Sequence, residues 1–262
     1  MDVNNKYGVL DQQKRLLDFF KVFHDYCIKN DIKYSLDWGT LLGAIRDKGF
    51  IPWDDDIDIM VDRDNYNKLV NYFERDRSLL FKVVNTLWIS RVRLNDDDNN
   101  TYPLTIDVLV MDNAPDGNLA RKIRVMLIKI LQGTLKDKPK NIKKFKNVGI
   151  IMRVIAMFLY YMGLPFSYAT KMRLYNKLAQ LSNKKSTKMI TSYYEEYSCL
   201  GKYYSNNLMD EMILVPFEDM EAYVVKDYHE CLVTQFGHNY MTPIKTRLNH
   251  TEKQVLKNQL DE

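Results

Sequence analysis

The chain has 262 residues, 38 of them Lys or Arg and 34 Asp or Glu, for a formal charge of +4. With 46% hydrophobic and 27% charged residues it has the composition of a soluble globular protein, and its mild basicity gives no argument for nucleic acid. Its length allows one large domain, or a domain with an appended helical part, and a substantial core. Cys27, Cys199 and Cys231 are odd in number and far apart, so neither a disulfide framework nor a zinc site is expected and a reducing, cytosolic compartment fits. The first residues lack a basic run followed by an apolar one, so no signal peptide is expected.

From Val9 to Lys29, Leu10, Leu16, Leu17, Phe20, Phe23 and Ile28 recur at helical intervals, which predicts an amphipathic helix with His24 at its surface or rim. Lys33 to Trp38 reads as a short strand running into Gly39-Thr40, after which Leu41, Leu42 and Ile45 have helical spacing. Gly39 permits a tight turn and close approach to a ligand, Thr40 stands where a helix N-cap would be, and free amides at a helix start attract phosphate. In Asp54-Asp-Asp-Ile-Asp-Ile59 the last residues alternate as in a half-buried strand, so Asp56 and Asp58 project from one face about 6.5 Å apart. Carboxylates held that way repel unless a cation sits between them, and hard oxygen ligands suit magnesium or manganese. Acidic runs are more often solvated loops, but Ile57, Ile59 and Val61 give this one a buried side. Phe50 and Trp53 read as core or rim packing.

Asp62 can cap a helix carrying Tyr66, Leu69, Val70 and Phe73, and strands follow at 81–84 and 88–94. On the second, Arg91 and Arg93 share a face, either toward phosphate or toward solvent. Asn95 to Asn100 is a turn by composition. In Leu104-Thr-Ile-Asp-Val-Leu-Val-Met-Asp112, β-branched neighbours place Asp107 on a strand, where a carboxylate is costly to bury without a partner or a metal. From Arg121 to Arg153 eleven cations are interrupted by one acid, Asp137. They lead into an apolar run over 148–165 that suits either an interfacial helix on an anionic leaflet or a core helix of an appended bundle. Residues 172–181 continue helical.

Gly39-Thr-Leu-Leu-Gly-Ala-Ile-Arg46 followed by Lys48-Gly-Phe-Ile-Pro-Trp-Asp-Asp-Asp-Ile-Asp58 resembles the signature of the LicD family, bacterial phosphocholine transferases related to fukutin. Val215-Pro-Phe-Glu218, the run from Val224 to Leu232, Gln235-Phe-Gly237 and His250 are similar to that family's tail. The sequence departs from the family at Trp38, where glycine is usual, and at Asp47, where histidine is usual. The resemblance implies an α+β, nucleotidyltransferase-like mixed sheet flanked by helices. It would form a single domain over 1–262, with a variable basic helical insertion at 117–200.

It implies transfer of phosphocholine from CDP-choline to a hydroxyl of a cell-surface glycan precursor, of teichoic acid, capsule or lipopolysaccharide type, free or lipid-linked. Another CDP-linked polyol phosphate donor, such as ribitol or glycerol phosphate, and a non-catalytic glycan-binding scaffold remain alternatives. Asp56, Asp58 and Asp107 would hold Mg2+ or Mn2+, with Asp54 an outer ligand and Asp107 also the general base. Gly39 and Thr40 would cradle the donor phosphates, with Arg46 and Lys48 supplying positive charge. A cytoplasmic enzyme touching the inner face of the membrane, and binding no nucleic acid, is the expectation.

Overall fold

The computed structural model describes residues 9–75, 81–94, 104–136 and 149–244. Their contacts divide into two compact units. The first takes the described residues of Met1–Asn85, Ser90–Met111 and Asn207–Glu262, and the second those of Thr86–Ile89 and Asp112–Asn206.

The first unit begins with helix α1 (Leu10–Lys29), which buries Leu16, Phe19, Phe20, Phe23 and Cys27 along one stripe. Phe20 is fully enclosed by Phe23, Tyr34 and Phe217, with ring centroids 5.8–6.3 Å apart. Each such ring contributes about 1.5–3 kcal/mol by leaving water. His24 lies on the same buried stripe, not at the rim as the sequence suggested. Its Nδ1 is 2.6 Å from the Tyr34 hydroxyl, so a partner offsets its burial.

Strand β1 (Ser35–Leu36) leads into helix α2 (Trp38–Arg46), then strand β2 (Ile57–Asp62) and helix α3 (Arg63–Arg75). As expected, Asp62 caps α3: its Oδ1 accepts from the Asn65 amide at 2.7 Å. Strands β3 (Phe81–Thr86), β4 (Ile89–Leu94) and β5 (Thr105–Ala114) complete a mixed sheet path β1-β2-β5-β4-β3. β1 runs antiparallel to β2, β2 parallel to β5, and β4 antiparallel to β5. A parallel pair needs a long crossover, and α3 with β3 and β4 supplies it. A hairpin of β8 (Met212–Phe217) and β9 (Met220–Val225) is tied to β1 by the Val225 amide, which donates to Ser35 Oγ at 2.9 Å. Helix α7 (Tyr228–Phe236) follows it.

The second unit contains α4 (Asn118–Leu135), α5 (Ile150–Gly163), α6 (Tyr168–Ala179) and the short antiparallel strands β6 (Met189–Ser192) and β7 (Tyr204–Ser205). The segment 117–200 falls within this unit. Its interior is polar at one point. Gln132 donates to the Tyr175 hydroxyl at 3.1 Å and to the Glu195 carbonyl at 2.9 Å, and Trp88 Nε1 donates to that same carbonyl at 2.8 Å. The turn expected at Asn95 to Asn100 lies outside the described residues.

The start of α2 differs from the sequence reading. Asp37, not Thr40, is the N-cap: its Oδ1 accepts from the Trp38 amide at 2.9 Å and from Gln235 Nε2 of α7 at 2.6 Å. Trp38 therefore already belongs to the helix, at φ +44°. That left-handed conformation disfavours a bulky side chain. Contact of its ring with Phe236, edge-on at 5.8 Å, helps hold it there.

Burial pushes the Asp37 carboxyl up to about 6, although Gln235 and the Trp38 amide oppose the rise. Between the ordinary aspartate value and about 6, the folded protein holds a proton that the unfolded chain has released. Stability from this residue therefore declines as pH rises through that window and stays lower above it. Asp37→Asn keeps an acceptor oxygen for both donors and removes the ionisation. It is expected to stabilise the protein at pH 7.5, by on the order of 1–3 kcal/mol, and far less at pH 4, as read by thermal melts at both values. Equal destabilisation at both would mean that the charged carboxylate is what the fold uses.

Candidate active site

The acids converge because a loop and two strand ends meet. The loop 51–56 is tethered from α1: Gln13 Nε2 donates to the carbonyls of Ile51 at 3.1 Å and Asp54 at 2.7 Å, and Gln12 Nε2 to that of Asp55 at 2.9 Å. One carboxylate oxygen from each of Asp54, Asp55 and Asp56 lies within 4.8 Å of the others. Burial first, and then the Asp56 carboxylate, holds the Asp54 carboxyl well above the usual range.

β2 carries the next acid into the sheet. Asp58 lies opposite Asp107 on the parallel neighbour β5, and Asp107 opposite Arg91 on β4. The three side chains form one row across strands spaced about 4.8 Å apart. Arg91 grips Asp107 with a fork, Nε to Oδ1 at 2.6 Å and Nη2 to Oδ2 at 2.9 Å. Asp58 is raised well above the ordinary value by burial, then by the charges of Asp56, Asp107, Asp54 and Asp37. Burial lowers the Arg91 value, but hydrogen bonding to Asp107 and the charges of Asp107, Asp58 and Asp56 outweigh it and raise it. Five acids, Asp37, Asp54, Asp56, Asp58 and Asp107, and one guanidinium thus meet at one end of β2. A set of crowded carboxylate oxygens, with Asp54 and Asp58 raised in proton affinity, has the chemistry of a site for a hard divalent cation.

The turn before α2 borders this cluster. A Cβ at Gly39 would lie 2.7 Å from Asp54 Oδ2, so only glycine lets the helix start come this close to the acid. Thr40 Oγ1 accepts from the Asp58 amide at 2.9 Å, which pins the start of β2 to α2. The amides of Gly39 and Thr40 lie in the first turn, where no helical carbonyl can receive them, and they carry the positive end of the helix dipole.

Arg46 and Lys48 are placed differently from the sequence reading. Both sit at the far end of α2, about 10 Å along the axis from Gly39. Arg46 is forked onto Asp47 at 2.7–3.1 Å, and Lys48 Nζ donates to the Ile45 carbonyl at 3.1 Å. Arg91, which the sequence left facing either phosphate or solvent, is a cation that does meet the acids. Asp112 lies in the second unit, buried, and accepts from Asn183 Nδ2 at 2.6 Å.

Four supporting residues escaped the sequence reading. Gln13 was legible only as a polar residue on an apolar helical stripe. Asp37 was hidden beside the Gly-Thr pair, and Gln235 lay in a stretch noted for its resemblance alone. Glu218, at the tip of the β8–β9 hairpin with φ +55°, accepts from the Phe50 amide at 2.8 Å, and its own amide donates to the Lys48 carbonyl at 2.8 Å. A Cβ at Gly49 would collide with the Glu218 carboxylate.

Residues 31–100 match the family model described as LicD/FKTN/FKRP, nucleotidyltransferase domain. The chain is 27% identical over 261 aligned residues to the lipopolysaccharide cholinephosphotransferase LicD of Haemophilus influenzae, covering 90% of this chain and 92% of that relative. Shorter likenesses, 52% over 44 residues and 46% over 50, join it to uncharacterized proteins of Rickettsia prowazekii and Rickettsia typhi, over 16% of each. The chain is therefore similar to the LicD family over residues 31–100, and its likeness to a protein of that name extends over nine-tenths of its length.

Proposed function

We propose that this chain transfers phosphocholine from CDP-choline to a hydroxyl of a lipopolysaccharide-type glycan, on a nucleotidyltransferase-like core. The observation that carries the reading is the row Asp58–Asp107–Arg91 beside Asp54 and Asp56, at the start of α2. A scaffold that only bound glycan would have no use for carboxylates crowded against their own repulsion. The name of the Haemophilus influenzae relative supports choline phosphate as the group moved and lipopolysaccharide as the acceptor.

Asp54, Asp56, Asp58 and Asp107 would hold a magnesium or manganese ion. When bound, that ion supplies charge neutralisation to the donor phosphates. The first-turn amides of Gly39 and Thr40 receive phosphate oxygens. Arg91 fixes Asp107 through both oxygens, each of which keeps a further lone pair. Asp107 can then accept the proton of the attacking hydroxyl. The glycan oxygen bonds to the choline-bearing phosphorus as the bond to the CMP oxygen breaks, and CMP leaves with the electron pair.

Asp58→Asn is expected to lower CMP release from CDP-choline at least about a hundredfold, with the far-ultraviolet circular dichroism unchanged. The assay uses purified protein, magnesium and a lipopolysaccharide acceptor. CDP-ribitol and CDP-glycerol serve as competing donors. Unaltered turnover in that variant would overturn the site, and preference for a polyol donor would overturn the choline assignment alone.

Arg91→Lys keeps a charge and loses the fork. It is expected to reduce kcat about tenfold or more with little change in KM for the donor, because the loss falls on the orientation of Asp107. A change confined to KM would make Arg91 a donor-binding residue.

A further inference from the structure

α5 is apolar on every side except for Arg153, the composition of a helix buried all round. Its surroundings differ from that expectation. Arg153, Ala156, Met157 and Tyr160 are half-buried, and Gly163 is packed against Thr134 of α4. The opposite face, Ile150, Ile151, Val154, Ile155, Phe158, Tyr161 and Met162, is open, with Ile150 77% and Phe158 61% exposed. The reading of this segment as a core helix therefore fails.

The neighbouring α4 also carries an exposed apolar stripe, Leu119, Ile123, Met126, Leu127 and Ile130, at helical spacing. Past α5, Leu164, Phe166, Tyr168 and Leu174 are exposed as well. Exposed apolar surface of this extent on neighbouring helices marks a face that meets something.

Charge identifies the occupant. Between residues 118 and 182 there are 14 Lys or Arg against one acid, Asp137, so the rest of the chain is net acidic. Among the described residues, Lys122, Lys136, Arg173 and Lys177 are exposed on or beside the same helices. Apolar side chains flanked by cations, with Tyr161 and Tyr168 able to sit at the headgroup level, match an anionic bilayer. A protein partner would call for polar groups to pair, and a second copy of this chain would bring the cations of both against each other.

Lying on the bilayer fits the lengths better than crossing it. α5 is about 21 Å long, short of the roughly 30 Å hydrocarbon core. No single helix among the described residues is long and apolar enough to cross; α5 and the helical stretch after it qualify only together, and the two are bent by 110°.

We infer that the open face of α4, α5 and α6 docks on an anionic lipid surface, with α5 lying in the interface plane. The binding concerns the second unit and stands apart from the transfer chemistry. The test is co-sedimentation of the full chain with vesicles of phosphatidylcholine, with and without phosphatidylglycerol. Pelleting is expected with the anionic vesicles, weakened by high salt. Ile151→Glu with Phe158→Glu should lower partitioning about tenfold or more, since both sites are open and neither change enters the core. Asp58→Asn should pellet as the parent does, so failure of the catalytic reading leaves this result standing. Pelleting unaffected by the paired glutamates would overturn the inference. So would light scattering that shows a dimer which those substitutions split.

Discussion

Repulsion among carboxylates is the constraint around which the first unit is built. Asp54, Asp56, Asp58 and Asp107 act on one another at close range, and each would separate if its backbone were free to move. The fold prevents it by fixing main chain, not side chains. Gln12 and Gln13 hold the carbonyls of the acidic loop, Thr40 holds the Asp58 amide, and the β2–β5 register holds Asp58 opposite Asp107. The side-chain tether is Arg91, which neutralises one acid and orients it. Repulsion is thus concentrated at the site proposed to take a cation and phosphates, and functional sites are a usual place for a fold to store it.

Much of this site was legible because strands write their faces into alternation. Ile57, Ile59 and Val61 declared β2, and the apolar neighbours of Asp107 declared β5; both strands occur, but β2 begins at Ile57, so Asp56, read as sharing a strand face with Asp58, lies in the loop before it. Pairing between them was not legible. Nothing in either segment says that position 58 meets 107 and not 105 or 109, and register is set by the whole sheet. The helix start was misplaced for a local reason. Thr40 and Asp37 are both good caps, but the Asp58 amide takes the Thr40 hydroxyl and the Gln235 amide, nearly two hundred residues away, supports Asp37. Arg46 was read as a phosphate ligand from its position in a motif. Its place at the end of α2, forked to Asp47, depends on where that short helix stops.

The second unit illustrates the limit of hydropathy. A uniformly apolar helix reads the same whether protein or lipid surrounds it, since both remove it from water. Accessible surface separates the two. Here one face of α5 meets α4 and the other meets solvent, so a run of residues that could have been core instead presents an exposed apolar face.

The clasp between Glu218 and the loop at Lys48 to Phe50 has a consequence for how the protein is made. Its hydrogen bond joins residues 168 positions apart, and the β8–β9 hairpin that bears it is synthesised after the whole second unit. Contacts of such sequence separation form late, because the intervening chain must be ordered or spanned first. During translation the loop at Lys48 to Phe50 therefore emerges without its clasp, and it gains that clasp only once the hairpin has left the ribosome. A chain truncated before it would carry every acid of the site and still lack the support that holds its neighbouring loop in place.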